Sequence, residues 1–342
     1  MTEIKLEKCR IAVDAMGGDY APKHEILGAV AALREDHNFE IILIGDKEKI
    51  LSAAGDEKIN LDEKMILHTS QVVEMHDKPA EAIKSKKDSS LVVGAGLVRD
   101  KKADAFVSAG NTGAVAAAST LLMGRLKHIE RPTIGSFIPS ESNATYLFDV
   151  GAFVDVKPQH LFEYAILASI FVKELYGIPD PTIALLNVGE EDEKGNKQVK
   201  ETAELLRNSK LNFIGNVEGR DILKGKSNIV ICDGFVGNIL LKFGESVPQF
   251  MKYLLTQHSK KSLYEKIKIG LFKSTLKQAL SPLNPDLYGG VPLLGINGIT
   301  IIGHGSSSPL AIKNMILRAK EMYDKNLLQK FEEALKIYAV TK

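Results

Sequence analysis

The stretch Asp104–Ala114, DAFVSAGNTGA, decides how the rest of the chain is read. A short apolar run breaks into Ser-Ala-Gly-Asn-Thr-Gly and resumes as an alanine-rich segment with helical character. Strand, glycine-punctuated turn and helix are the repeating unit of an α/β protein. Backbone N–H groups at the start of such a helix, freed of side-chain bulk by glycine, make a ready anion site. The loop matches neither G-x-G-x-x-G nor the P-loop pattern of nucleotide binders. The anion it suits is phosphate-like, with no nucleotide attached.

Working outward, the same alternation runs through most of the chain. Strand candidates are RIAVDAMG, FEIILIGD, KMILHTS, DAFVSAG, TIGSFIP, TYLFDVGA, TIALLNVG, LNFIGNVEG, NIVICDGF and ITIIGHG. They are rich in Ile, Val, Leu and Phe and end in Gly, Asp or Asn. Helix-length patterns such as APKHEILGAVAALRED, NTGAVAAASTLLMGRLK and PQHLFEYAILASIFVKELYG lie between them. The last opens on Pro158 and stops at Gly177, the punctuation a helix takes. Such alternation predicts an α/β fold with a mostly parallel, doubly wound sheet covered on both faces. With no repeat and no low-complexity linker in view, residues 1–342 read as one large α/β domain.

Polar and glycine residues cluster just after the strands: Asp14 with Gly17 and Gly18, Ser108 to Gly113, Asp149 with Gly151, Asn187 to Asn196, Asp233 to Asn238, and His304 to Ser308. Ligands of open α/β sheets bind outside the carboxyl ends of strands. Glycine and Asx residues are also ordinary turn formers, so one such loop decides little. Six of them predict a shared cleft.

Composition narrows the function. The 342 residues are 44% hydrophobic and 25% charged, ordinary globular values. A net charge of +1, no Trp and 6% aromatics give no global pull towards nucleic acid and no base-stacking surface. Cys9 and Cys232 lie far apart, with no metal-type spacing, as suits a reducing cytosol. The N-terminal MTEIKLEKCR lacks a signal-peptide apolar region, and no run approaches the ~20 apolar residues of a spanning helix. The expected location is cytoplasmic.

GRDILKGKS at Gly219 has its glycines one residue too far apart for a P-loop and precedes a strand. GAGLVRD at Gly94 sits inside a helical pattern. The eight histidines form no metal-type pair, and the acidic run EEDEK reads as a solvated loop, so neither metal nor cofactor is expected. Cys232 lies in an apolar run where cysteine acts as a small hydrophobe, and a G-x-S-x-G elbow is missing. A substrate that is itself a nucleophile removes the need for one on the protein. Phosphate, largely dianionic near neutral pH, can attack an activated acyl group directly, leaving the protein to position it and stabilise the oxyanion. A thiolate leaving group, with thiol pKa about 8.5, needs little acid assistance. Asn111, Lys194, Asn196, Asn238 and His304 are the groups after the strands that could do this work.

Taken in order, IAVDAMGGDYAP, KPAEAIKSKKDSS, FVSAGNTGA, DVGA, NVGEEDEKGN, CDGFVGN and GHGSS resemble the bacterial phosphate acyltransferases of phospholipid synthesis, from about Ile11 to Lys320. The resemblance implies transfer of a long fatty acyl group from acyl carrier protein to inorganic phosphate, with the acyl phosphate passing to a glycerol-3-phosphate acyltransferase. It also implies a homodimer and a fold similar to isocitrate and isopropylmalate dehydrogenases and to phosphotransacetylases. Mapped on the motifs, Lys194 and Asn238 would neutralise phosphate and hold the oxyanion. His304 would orient phosphate or shuttle its proton. Ser108, Asn111, Thr112 and Gly113 would cradle phosphate, and Asp14, Gly17 and Gly18 would shape the cleft floor. Asn196 and Gly234 complete the substrate-binding set. Asp149 and Asp233 would either serve substrate or cap neighbouring helices. Phe153 and Ser308 stand where the family often has asparagine, and Lys84 where arginine is frequent.

Two other functions remain open on the residues: a phosphotransacetylase acting on short acyl-coenzyme A, and a non-catalytic scaffold binding carrier protein at a membrane. Val247–Leu280 bears on the membrane. It holds seven lysines and one glutamate in a chain of net charge +1. Leu263, Ile267 and Leu271 recur every fourth residue, as on an amphipathic helix. Gly270 marks the expected break of a helical hairpin, with Ile269, Leu271 and Phe272 at an apolar tip. The hairpin either packs into the dimer or core, or lies on an anionic membrane surface, with the lysines meeting lipid or acidic carrier protein.

Overall fold

Residues 8–339 are described by the computed structural model. In it the Asp104–Ala114 stretch is strand, turn and helix: Ala105–Ser108 is extended and Thr112–Met123 is helical. The strands are β1 (Cys9–Asp14), β2 (Phe39–Gly45), β3 (Ile66–His68), β4 (Ala105–Ser108), β5 (Thr133–Ser140), β6 (Asn143–Phe148), β7 (Ile183–Leu186), β8 (Phe213–Val217), β9 (Ile229–Ile231), β10 (Val291–Leu294) and β11 (Ile299–Ile302). They form one sheet in the order β3-β2-β1-β4-β11-β10-β5-β6-β9-β7-β8. The helices are α1 (Lys23–Glu35), α2 (Lys47–Asp56), α3 (Pro79–Ser85), α4 (Ser90–Arg99), α5 (Thr112–Met123) and α6 (Pro158–Tyr176). They continue with α7 (Lys197–Arg207), α8 (Gly219–Lys224), α9 (Gly234–Ser259), α10 (Leu263–Ala279), α11 (Pro309–Asp324) and α12 (Leu327–Ala339).

Strand side chains alternate between two cores, one on each face of the sheet. Ile11 and Val13 enter one core and Ala12 the other. Ala105 and Val107 are likewise divided from Phe106, and Ile229 and Ile231 from Val230. Both faces are therefore dry, which is why these strands read as continuous apolar runs. Helices α6 and α11 fill the first core, α4 and α5 the second.

The sheet has two parallel halves of opposite sense. β1, β2, β3, β4 and β11 run together, as do β6, β7, β8 and β9. Three antiparallel pairings separate them, β11 with β10, β10 with β5, and β5 with β6. β10 is the strand that the sequence patterns miss. Its VPLL carries Pro292, a residue that argues against an interior strand. The ladder accommodates it because pairing with β5 engages only Leu293 and Leu294.

The hairpin forms from α9 and α10, packed on one another. Gly234 and Gly237 are the buried residues of α9, and α10 has none. The expected break at Gly270 is corrected: Gly270 lies within α10. The chain turns instead at Lys260–Ser262, where the Ser262 hydroxyl accepts the Glu265 N–H at 3.1 Å and caps α10. One glycine costs only about 1 kcal/mol inside a helix, which the cap and flanking helix formers offset. Among the described residues no helix is long and apolar enough to cross a membrane.

Phe106 is fully buried in the core shared with α4 and α5. Phe106→Ala should destabilise the fold by about 3–5 kcal/mol, measured as a fall in the urea midpoint at unchanged slope.

Candidate active site

Two groups of strand-end residues emerge, one on each half of the sheet. They belong to parallel halves of opposite sense, joined through three antiparallel pairings.

The first group gathers the loops after β1, β4 and β11. Asp14 is buried, and its Oδ2 accepts the Ser108 hydroxyl at 2.7 Å while Oδ1 accepts the Met16 N–H at 3.1 Å. Burial pushes its carboxyl above the usual range; hydrogen bonds from Ser90, Ser108 and Met16 pull it back. The Ser108 Oγ also accepts the Gly110 N–H at 3.1 Å. Glycine is required at 17, because a Cβ there would lie 2.5 Å from Asp14 Oδ2 and 2.8 Å from the Gly110 nitrogen. The Asn111 side chain caps α5 through Ala114 N–H at 3.0 Å and donates to the carbonyls of Met75 and Asp77 at 2.8 and 3.1 Å. Asn111 and Ser108 thus build the loop, and an anion would meet the exposed Thr112 and Gly113 at the start of α5. His304 is exposed, with its Nδ1 2.8 Å from Ser306 Oγ. Ser308 caps α11 through Ala311 N–H and donates to Asp286 Oδ2 at 2.7 Å.

The second group follows β6, β7 and β9. Asp149 is fully buried. Its carboxylate accepts the N–H groups of Ile134, Gly151, Ala152 and Phe153 at 2.9–3.3 Å. Burial raises its carboxyl and these amides lower it. All its contacts are with backbone, so its role here is to hold the turn. Asp233 caps α9 through Val236 N–H at 2.9 Å, and Gly234 N–H donates to the Phe153 carbonyl at 2.9 Å. Asn196 caps α7 through Val199 N–H at 2.9 Å. Asn238 is exposed one turn beyond Phe235, beside the β6–α6 loop at Gly151. Lys194 is exposed on the β7–α7 loop, whose shape is fixed by Asn187 Nδ2 donating to the Lys194 carbonyl at 3.2 Å. The acidic run beside it is spent partly on ion pairs, Glu190 with Lys226 and Asp192 with Arg207.

A cavity of about 460 Å3 opens in this second group. Its walls include Arg131, Lys157, His160, Gln198, Asp233 and Phe235. Lys157 and His160 stand at the start of α6, Gln198 at the start of α7, and Asp233 and Phe235 at the start of α9. Three helices therefore turn their positive ends towards one space, and its lining adds the cationic Arg131 and Lys157 and the acidic Asp155 and Asp233. The Arg131 guanidinium lies over the Phe153 ring at 4.9 Å, so phenylalanine at 153 serves to seat that arginine. His160 accepts the Lys157 N–H on Nδ1 at 3.0 Å; the proton then sits on Nε2, 2.9 Å from Glu130 Oε2. Arg131, Lys157, His160 and Gln198 were missed by the reading of loops after strands. Arg131 precedes β5 and the others begin helices, so only the packing of α6, α7 and α9 unites them. The one signal in the sequence was Pro158, which marked the start of α6.

Cys232 is buried and its thiol is pushed well up by burial, with the charges of Asp149 and Asp233 acting in the same direction, which keeps it un-ionised. A buried neutral thiol is a poor nucleophile.

The fold is that of the phosphotransacetylases. A phosphotransacetylase from Streptococcus pyogenes superposes with a TM-score of 0.62 at 17% identity, covering 93% of this chain and 94% of its own. The EutD phosphotransacetylase of Staphylococcus aureus gives 0.57, also at 17%, over 92% and 94%. Residues 9–330 match the family described as fatty acid synthesis protein. The phosphate acyltransferase of Chlorobaculum parvum is 46% identical over 338 residues, 95% of this chain and 98% of that protein. That of Dictyoglomus turgidum is 43% identical over 328 residues, 95% and 97% of the two chains. The chain belongs to the phosphate acyltransferase family and is an acyltransferase that uses phosphate as its acceptor.

Because Asp149 serves four buried amides, removing it should act on folding first. Asp149→Ala should cost at least ~3 kcal/mol, since each unsatisfied buried donor costs ~1–3 kcal/mol, and calorimetry should show a lower melting temperature.

Proposed function

We propose that the chain transfers a long-chain fatty acyl group from acyl carrier protein to inorganic phosphate, giving acyl phosphate for phospholipid synthesis. The observation that carries this reading is the cavity at the starts of α6, α7 and α9, whose walls combine three helix N-termini with Arg131 and Lys157. A phosphate oxygen attacks the thioester carbonyl carbon, the oxyanion forms, and its collapse expels the carrier thiolate. Lys194 offsets phosphate charge and Asn238 donates to the oxyanion, which is where charge develops and where fixed donors act most strongly. Thr112 and Gly113 supply amides on the other half of the sheet, and His304 orients the proton-bearing end of phosphate. No nucleophile on the protein is needed, in keeping with the burial of both cysteines.

The same reading makes the protein a cytoplasmic homodimer that works at the surface of an anionic membrane and hands its product to a glycerol-3-phosphate acyltransferase. Support comes from the hairpin. Leu263, Ile267, Leu271 and Phe272 on α10 are 74%, 55%, 76% and 60% exposed, and Phe243 and Phe250 on α9 are 70% and 60% exposed. Apolar side chains at this density rarely face water without a partner. Lysines among them are worth ~1 kcal/mol each near anionic lipid. Short-chain transfer from coenzyme A is the competing reading, favoured by the phosphotransacetylase fold.

Purified protein given labelled phosphate should form acyl phosphate from palmitoyl-carrier protein and none from acetyl-coenzyme A; the reverse pattern would replace the proposed donor. Lys194→Ala and Asn238→Ala should each lower turnover ~10²–10³-fold at unchanged melting temperature, and near-normal turnover would remove that residue from the site. Binding to liposomes containing anionic lipid should be salt-sensitive and should disappear in Leu271→Asp/Phe272→Asp while activity in solution persists. A double variant that sediments like the parent would free the hairpin of that role.

A further inference from the structure

Glu25 lies outside every group described above, yet its buried carboxyl keeps an oxygen without a hydrogen-bond partner. It stands in the first turn of α1 and is 1% exposed. The carboxyl accepts hydrogen bonds from the N–H groups of Glu25 itself and of Gly18. Its Oε2 has no hydrogen-bond partner. A side chain at Gly18 would collide with Oε1, so the turn rests directly on the carboxyl. From the other side the turn is tied to the β11–α11 loop. Asp19 N–H donates to the Gly305 carbonyl at 2.8 Å, and His24 Nδ1–H donates to the Ser307 carbonyl at 2.9 Å. Gly17, next along, presses on Asp14 and Gly110.

We propose that Glu25 is a positioning residue for the first group: its carboxyl, held beneath the Gly17–Gly18 turn, sets how closely that turn approaches Gly110 and Gly305. The turn in turn shapes the cradle ahead of α5. The functional part of this inference rests on the phosphate-acceptor reading above; the structural part does not. Burial pushes the Glu25 carboxyl up to about 8, with the charges of Asp14 and Asp19 adding to the rise and its two backbone hydrogen bonds opposing it. Other charged groups around it are spent or exposed. Lys23 on α1 pairs with Glu57, Lys313 on α11 pairs with Glu35, and His304 on the facing loop bonds Ser306. Below its titration the carboxyl is neutral and compatible with an anion overhead. Above it, one more negative charge joins Asp14 and Asp19 under the loop, so the turn loosens and phosphate is disfavoured. In sign, the neutral form's contribution is complete in acid and is lost as pH rises through about 8.

The test uses the full chain labelled with 15N-glycine, its Gly18 resonance identified by loss on Gly18→Ala. The Gly18 amide signal should titrate with a midpoint near 8 in the parent and stay flat in Glu25→Gln, which keeps the accepting oxygen without the charge. In parallel, KM for phosphate in the parent should rise several-fold between about pH 7 and 9 relative to Glu25→Gln, phosphate's own titration being common to both. Glu25→Ala should raise that KM about tenfold with kcat little changed, and Glu25→Gln should restore it. A Gly18 signal that does not titrate, or a Gln variant with the parent's pH profile, overturns the proposal. If the parent transfers no acyl group to phosphate, the functional reading fails while the Gly18 titration still decides the role of Glu25.

Discussion

The Asp149 carboxylate, buried beneath four backbone N–H groups, is the interaction on which the architecture turns. One of those amides belongs to Ile134, which pairs with Leu293 where β5 meets β10. Only Leu293 and Leu294 register with β5, so the join between the two halves of the sheet is short. Asp149 ties the end of β6 to that join and at the same time folds the loop that carries Phe153, under Arg131, to the start of α6. Without it four N–H groups at the turn and the join would lose their acceptor. An aspartate at the end of a strand, open to a catalytic reading in the sequence, is here a structural keystone because every donor it meets is backbone.

A second consequence follows from the join. Each parallel half presents its own strand ends and its own polar loops. One half offers the amides ahead of α5, framed by Asp14, Ser108 and Asn111. The other offers a cavity with Arg131 and Lys157 and three helix starts. Several residues chosen for their chemistry turn out to be builders. Asn111, Asn196 and Asp233 cap helices, and Asp14 and Ser108 bond to each other. This is the usual fate of Asx residues at the start of a helix, where an oxygen aimed at the N2 or N3 amide competes with any ligand. Lys194, Asn238 and His304 remain exposed at the surfaces such builders shape.

By itself the sequence determined the fold class, ten of the eleven strands among the described residues and the residue types of the loops. It could do so because a strand buried on both faces must be apolar throughout, while turns need glycine or Asx, and both constraints act over a few residues. The ordered motifs likewise carried the family. Tertiary structure alone decided what depends on pairing between distant segments. It recruited Val291–Leu294 as β10 despite Pro292, because a strand's place is set by its neighbours. It kept Gly270 within a helix and moved the hairpin turn to Lys260–Ser262. It set the two parallel halves of the sheet in opposite senses, since strand sense across an antiparallel join leaves no trace in local periodicity. And it brought Arg131, Lys157, His160 and Gln198 to one cavity, and Glu25 beneath Gly18, because burial and electrostatics are properties of neighbours in space.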